Sequence, residues 1–308
     1  MNFDKIKNQQ VFLPELEKFE VSLFMKREDQ IHPFISGNKY RKLKYNILEA
    51  QTLKKTTLLT FGGAFSNHIS AVAFAGSAYG FKTIGIIRGN ELGDDLEKTL
   101  SQNTTLRTAA EHQMTFKFVT RSDYRLKNSP EFIADLHKEF GDFYLVPEGG
   151  TNEFAVKGCE EILTSEDQKF DVICCGIGTG GTISGIINSA KAHQKILGFP
   201  ALKGDFLQKE IERYTIQNKN WSLISDYHFG GFGKINESLI NFINAFKRES
   251  TIPLEPIYTG KMMFGITDLI KSGYFKKGTK ILAIHTGGLQ GIEGMNRRLK
   301  QKKLPLIL

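Results

Sequence analysis

The sequence predicts a parallel α/β fold, on three observations. Short apolar, β-branched runs alternate with longer helical patterns along the chain, three of them lead into glycine-rich turns, and no repeat or low-complexity tract breaks the alternation. A strand apolar on both faces is buried on both faces, which is the habit of parallel sheets flanked by helices.

The elements run in order along the chain. Leu58-Leu59-Thr60-Phe61 passes through Gly62-Gly63 into an Ala-rich helix from about Ser66 to Tyr79. Thr83 to Ile87 is the next strand, and a polar helix begins near Asp94. Phe116 to Val119, a helix from Pro130 to Phe140, and Phe143 to Val146 come next. After a helix around Phe154 to Leu163, Val172-Ile173-Cys174-Cys175 enters Gly176 to Gly181. Lys280 to Ile284 enters Thr286-Gly287-Gly288 near the end, and Trp221 to Asn236 reads as a turn-rich loop. Ligands in such sheets sit beyond the carboxyl ends of the strands. The turns Gly62-Gly63, Gly176 to Gly181 and Gly287-Gly288 all come directly after strands, so they are expected to line one cleft.

Composition narrows the class. The 308 residues are 40% hydrophobic and 24% charged, enough for a sizeable core in one large or two modest domains. No apolar run approaches the roughly 20 residues that span a bilayer. Met1 to Lys5 has no apolar leader, so a soluble cytoplasmic protein is expected. Cys159, Cys174 and Cys175 have neither disulfide nor zinc spacing, which fits a reducing compartment, and no metal is expected. The net charge of +8 arises from dispersed basic residues mixed with 33 acidic ones. Only the segment Lys39 to Lys44 and Arg297 to Lys303 are dense, and the latter reads as a solvated helix face. Nucleic-acid and membrane partners are therefore not expected. A basic chain suits phosphorylated cofactors and carboxylate substrates.

Gly176-Ile177-Gly178-Thr179-Gly180-Gly181 satisfies the dinucleotide fingerprint GxGxxG. The acidic residue that should stand about 20 residues further on is missing, since no carboxylate precedes Asp205. Gly178, Thr179, Gly180, Gly181 and Thr182 offer something else: close backbone approach, convergent N–H groups, a helix N-terminus and two hydroxyls. That combination predicts a cup for a single terminal phosphate, where a plain strand-to-helix turn needs fewer glycines and threonines together.

At Ser36-Gly37-Asn38-Lys39-Tyr40-Arg41-Lys42-Leu43 a glycine turn delivers Lys39 to the start of a helix. By pattern alone Lys39 is one of several solvated lysines. A Schiff-base lysine must be partly desolvated so that its amine attacks in the neutral form.

The chain resembles the fold-type II pyridoxal-phosphate (PLP) family of D-cysteine desulfhydrases and 1-aminocyclopropane-1-carboxylate (ACC) deaminases. The likeness lies in Lys26-Arg27-Glu28-Asp29, Gly37 to Leu43, Ser66-Asn67-His68, Glu148-Gly149-Gly150-Thr151-Asn152 and Gly178 to Thr182. It ends with Tyr258-Thr259-Gly260-Lys261 and His285-Thr286-Gly287-Gly288. The blocks stand in the family's order over nearly the whole chain. The resemblance implies two α/β domains, a larger PLP-binding one from 1–42 plus 147–308 and a smaller one from 43–146. PLP would lie in the cleft between them, with a small amino acid as substrate and a homodimer as the usual assembly.

By the same resemblance Lys39 carries PLP as a Schiff base and the loop Gly178 to Thr182 holds its phosphate. Ser66 and Asn67 open a helix that binds the substrate carboxylate; Ser66 also contacts substrate near the reacting carbon, and Asn67 the cofactor's phenolic oxygen. Ser66 is expected to cap its helix as well. Tyr258 matches the acid–base tyrosine. His68 falls in the substrate-binding block, yet His68 and His285 read as structural histidines. ACC deaminases look like Tyr-Glu where this chain has Tyr258-Thr259, and like Leu where it has Thr286. The desulfhydrases have threonine at both places, facing the pyridine nitrogen.

Opening a cyclopropane that has no α-proton demands a deep electron sink, whereas β-elimination needs α-proton loss and a good leaving group. The threonines therefore imply α,β-elimination from a D-cysteine-like amino acid to 2-oxo acid, ammonia and sulfide. ACC deamination is the alternative, and a PLP-binding protein without turnover is an alternative of another class. Two departures bear on specificity: Phe65 stands where the family has Gln, and Phe232 in Gly230-Gly231-Phe232-Gly233 stands where it has a substrate-side tyrosine.

Overall fold

In a computed structural model, residues 6–216 and 220–308 are described. Met1 to Lys5, on which the expectation about a leader rests, lies outside the described residues. Ten strands run in chain order among the described residues: β1 Asn8–Gln10, β2 Ser22–Lys26, β3 Thr57–Gly63, β4 Lys82–Arg88, β5 Thr115–Val119, β6 Tyr144–Val146, β7 Val172–Ile177, β8 Lys195–Pro200, β9 Trp221–Leu223 and β10 Lys280–Ile284. They form two sheets in two compact units, one of Met1–Arg41 with Val156–Leu308 and one of Lys42–Ala155.

The larger unit holds a six-stranded sheet in the order β1-β2-β10-β7-β8-β9. All its pairings are parallel except β1 with β2. Period-two alternation explains why its central strands are apolar throughout. In β7, Val172 and Cys174 enter one core with Leu23, Met262 and Ile281, while Ile173, Cys175 and Ile177 enter a second core with Ile183, Leu282 and Ile284. Both faces are covered, so neither tolerates a polar set. All three cysteines are buried and free of disulfides, and burial pushes the Cys174 thiol well above its ordinary pKa.

The smaller unit holds a parallel four-stranded sheet in the order β5-β4-β3-β6. Its core joins Leu59, Phe61, Ile84, Ile86, Tyr124 and Leu136. The Asn67–Tyr79 helix comes after β3, and Pro130–Phe140 starts with Pro at its first turn and Ser129 accepting from the Phe132 N–H.

The structure corrects two sequence-based expectations. Trp221–Leu223 is not loop: it adds to the sheet edge beside β8, too short to announce itself, and the irregular stretch begins only after Leu223. The segment 147–155 groups with the smaller unit, not the larger, because side chains of the Asn38–Thr52 helix hold it there. Lys42 Nζ donates to Gly149 O at 3.0 Å and to Thr151 Oγ1 at 2.9 Å, and Asn152 Nδ2 donates to Asn46 Oδ1 at 2.7 Å. No described helix is long and apolar enough to cross a membrane.

Candidate active site

In the larger unit, β2, β10 and β7 are adjacent and parallel, and their carboxyl ends feed three segments. After β2 comes the stretch carrying Lys39, after β10 comes Thr286-Gly287-Gly288, and after β7 comes Gly178 to Thr182. Topology thus gathers residues more than two hundred positions apart at one sheet edge, where α/β proteins bind ligands.

The Lys39 turn is locked to the Thr286 turn. Gly37 has φ of +62°, and a Cβ there would lie 2.0 Å from Thr286 O, so only glycine fits. The next residue's N–H, that of Asn38, donates to Thr286 O at 3.2 Å. The Asn38 side chain ties the third segment in: its Nδ2 donates to Thr182 Oγ1 at 2.8 Å, while its Oδ1 accepts from Lys39 Nζ at 3.1 Å. Lys39 is half-buried, as an amine that must shed water requires. The Lys26-Arg27-Glu28-Asp29 block supports this arrangement from below. Glu28, wholly buried, receives the Arg41 guanidinium through Nε and Nη2, both at 3.0 Å, just two residues after Lys39. Lys26 pairs with Asp167 at 2.7 Å in the interior.

The glycine loop turns sharply into the Gly181–Ser189 helix, with Gly180 at φ of +84°. The first N–H groups of that helix have no acceptor within it. Tyr258 covers the loop's other side: a Cβ at Gly178 would sit 3.1 Å from its Oη. The tyrosine is set by Glu255, a buried carboxylate whose oxygens accept from the N–H groups of Ile257, Tyr258 and Thr259 at 2.7, 2.6 and 2.6 Å. Burial raises the pKa of Glu255, and the N–H donors pull it back. The Thr259 hydroxyl is spent locally, donating to Glu255 O at 3.2 Å, and Thr259 is fully buried. Thr286 differs: its hydroxyl has no hydrogen-bond partner among the described residues. Phe232 is 53% exposed, its ring centroid 6.2 Å from that of Tyr258. Lys261 anchors the Phe232 turn by donating to the carbonyls of His228 at 2.8 Å and Gly231 at 2.9 Å, and burial pushes its pKa down to about 8.

Ser66, Asn67 and His68 belong to the smaller unit, at the carboxyl end of β3. Ser66 occupies the N-cap position, but its hydroxyl makes no capping hydrogen bond, correcting the expectation that it would cap. Asn67 Oδ1 is buried without a hydrogen-bond partner. A buried polar atom of this kind points to a missing polar ligand. His68 Nε2 lies 2.9 Å from Thr60 Oγ1, whose proton goes to Val146 O at 2.8 Å, so this nitrogen is the donor. His285 is likewise bound into the fold, with Nε2 at 2.8 Å from Pro253 O and Nδ1 accepting from the Gly287 N–H at 3.2 Å. Burial lowers the His285 pKa and keeps it neutral. Among the described residues no group of three or more His, Cys, Asp or Glu is placed to hold a metal.

These features fit a pyridoxal phosphate. Within the larger unit, a glycine cradle and a helix N-terminus with a threonine hydroxyl suit a phosphate monoester, and a half-buried amine suits its aldehyde. A cofactor-dependent amino-acid enzyme is the class this fold and site define. The family model described as "Pyridoxal-phosphate dependent enzyme" matches residues 6–287, and the chain belongs to that family. A Thermotoga maritima protein provisionally described as a 1-aminocyclopropane-1-carboxylate deaminase is 29% identical, over 94% of this chain and 96% of its own. The mitochondrial bifunctional D-cysteine desulfhydrase/1-aminocyclopropane-1-carboxylate deaminase of Arabidopsis thaliana is 29% identical, over 88% of this chain and 73% of its own. A crystal structure described as an ACC deaminase homologue superposes with a TM-score of 0.81 at 26% identity, covering 96% of this chain and 93% of the other.

Three residues that hold the site were not picked out from the sequence: Asn38, Glu255 and Lys261. Asn38 and Lys261 stood inside the motif blocks without a role. Glu255 accepts from N–H groups two to four residues further on, the direction of an N-cap, but from a glutamate ahead of an irregular turn that the sequence pattern does not announce.

Proposed function

We propose that the protein is a deaminating lyase that acts on a small amino acid by α,β-elimination, as a D-cysteine desulfhydrase does, yielding a 2-oxo acid, ammonia and sulfide. The observation that carries this reading is the pair Thr259 and Thr286. The position where ACC deaminases resemble Tyr-Glu holds a buried threonine bonded to its own turn, and Thr286 presents an uncommitted neutral hydroxyl. A neutral partner for the cofactor ring gives a shallower electron sink than a carboxylate, enough for loss of an α-proton but poorly matched to ring opening.

PLP, when bound, supplies the delocalisation of the negative charge left at Cα. The chain's residues do the rest. Lys39 would hold the cofactor and take the α-proton at its Nζ. Gly178 to Thr182 hold the phosphate by backbone N–H groups and the Thr182 hydroxyl. Ser66 and Asn67 bind the substrate carboxylate at their helix start, with His68 as their support. Tyr258 Oη gives or takes the proton at the leaving group. Phe232 and Phe65 add apolar walls where the family carries polar side chains.

Cytoplasmic residence is supported by three buried cysteines free of disulfides, and a homodimer by the habit of the family the sequence resembles. ACC deamination is the second reading, favoured by the descriptions of the relatives. The test is a side-by-side assay of the wild-type holoenzyme. Sulfide and pyruvate from D-cysteine, with little 2-oxobutanoate from ACC, are expected; faster 2-oxobutanoate release from ACC would reverse the order of the two readings.

A further inference from the structure

The helix Thr259–Lys271 begins one residue after Tyr258 and grips the segment 227–231 along one face. Lys261, Phe264, Gly265 and Asp268 recur at helical spacing, so they share that face. Lys261 Nζ donates to His228 O at 2.8 Å and to Gly231 O at 2.9 Å. The Phe264 ring meets the Phe229 ring edge-on, with centroids 5.0 Å apart. A Cβ at Gly265 would lie 2.7 Å from Tyr227 Cδ2, so the Tyr227 ring lies against the helix backbone. Asp268 accepts from the Tyr227 hydroxyl at 2.7 Å.

The gripped turn is weakly specified by its own chain. Phe229, Gly230, Gly231 and Gly233 all stand at left-handed φ, of 54°, 93°, 111° and 66°. Glycines lose more freedom on ordering than any other residue, so such a turn needs an outside hold. Its own bonds are short-range: Gly231 N–H to His228 O at 3.0 Å, Lys234 N–H to Gly231 O at 3.1 Å, and Gly230 N–H to His228 Nδ1 at 2.9 Å. The two carbonyls that close these turns are the two that Lys261 binds, so one ammonium ties both closures to the helix. Lys261 is 2% exposed, and a buried ammonium is costly unless acceptors surround it. An apolar side chain would fill the space without that cost, so packing alone does not account for a lysine there.

Phe232 follows directly on Gly231, its ring 6.2 Å from that of Tyr258, and Tyr258 in turn covers the glycine loop at Gly178. We infer that Lys261 is a positioning residue: by tying the glycine turn to the helix that starts beside Tyr258, it fixes the gap between the Phe232 and Tyr258 rings, and that gap selects the leaving group. This role rests on the elimination reading above, in which Tyr258 Oη serves the leaving group. A fixed gap takes a thiol and resists a larger thioether; a turn that swings loose loses the distinction.

D-cysteine and S-methyl-D-cysteine break the same C–S bond, giving pyruvate and ammonia with sulfide or methanethiol, so the ratio of their kcat/KM values reports the gap. The wild-type holoenzyme should favour D-cysteine by about tenfold or more, the usual worth of one carbon in a fitted apolar pocket. Lys261→Met keeps the stem and removes the donor, and should bring the ratio towards one, as should Phe232→Ala. The double variant should go no further than Phe232→Ala, because Lys261 acts through that ring. Lys261→Arg, which can reach both carbonyls, should keep most of the ratio. Lys261→Gln, a shorter neutral donor, should fall between and carries the same test if Lys261→Met does not fold. Amide hydrogen exchange in the holoenzyme reads the hold without turnover: Gly231 and Lys234 should exchange about tenfold faster in Lys261→Met, with the Thr259–Lys271 helix unchanged. Unchanged exchange at those two amides, a ratio that survives Lys261→Met, or additive effects in the double variant would overturn the role alone. If neither substrate turns over although exchange quickens, the elimination reading falls and takes the leaving-group role with it.

Discussion

Gly37→Ala isolates the joint between the Lys39 turn and the Thr286 turn. Two costs arise. An alanine at φ of +62° carries left-handed strain of about 1–2 kcal/mol. Its Cβ would also fall 2.0 Å from Thr286 O, 2.3 Å from Thr286 C and 2.6 Å from Gly287 N, all backbone atoms that cannot swing aside. Ordinary contact demands that the turns part by more than about 1 Å, which breaks the Asn38 N–H bond to Thr286 O and strands buried polar groups at about 1–3 kcal/mol. The sum is about 2–5 kcal/mol. Gly273→Ala is the control: Gly273, in the same unit, has φ of +74° with nothing within 4 Å, so it carries the strain alone. Thermal denaturation should put Gly37→Ala about 2–12 °C below Gly273→Ala, the extra contact cost of about 1–3 kcal/mol at roughly 2–4 °C per kcal/mol. Visible absorbance should show that only Gly37→Ala loses cofactor, because it displaces Lys39. Equal melting temperatures and equal cofactor content in the two variants would refute the reasoning.

The same geometry makes Tyr258 and His285 testable. Tyr258→Phe should retain the cofactor band while turnover of D-cysteine falls about 10²- to 10⁴-fold, the usual worth of a positioned acid–base group; unchanged turnover would make Tyr258 a packing residue against Gly178. His285, buried and neutral with a depressed pKa, binds its proton more weakly folded than unfolded. Stability should therefore be full above pH about 6.5 and fall as pH drops below it, by at most about 1.4 kcal/mol per pH unit for this one group, and His285→Gln should flatten that acid limb in melting curves.

The strands that sequence reveals are those buried on both faces: β3, β4, β7 and β10 are continuous apolar runs because cores press on them from two sides. β2 escaped because it ends in Lys26, a charge that reads as surface and is in fact paired with Asp167 in the interior. The motifs placed Thr286 and the glycine loop after their strands, since a glycine turn after an apolar run has few other meanings, and placed Lys39 at the start of its helix. What ties them together was not legible. Asn38 bridges Lys39 to Thr182 across 144 positions, and Glu255 caps a turn whose shape no local pattern announces. Ser66 misled because a serine before a helix signals a cap, whereas here the hydroxyl makes no cap bond. The segment 147–155 changed units for a related reason: Lys42 and Asn46 reach it from more than a hundred residues away.

The central claim is that the cofactor is carried on Lys39, and borohydride reduction of the yellow holoenzyme with subsequent peptide mapping tests it most directly. Lys42 is the nearest competitor in sequence, but it is buried and its amine donates to Gly149 O and Thr151 Oγ1, which leaves it committed to structure. The pyridoxyl label should fall on Lys39 alone and vanish in Lys39→Ala. A label on Lys42 or Lys44, or a fixed label that survives Lys39→Ala, would contradict the account.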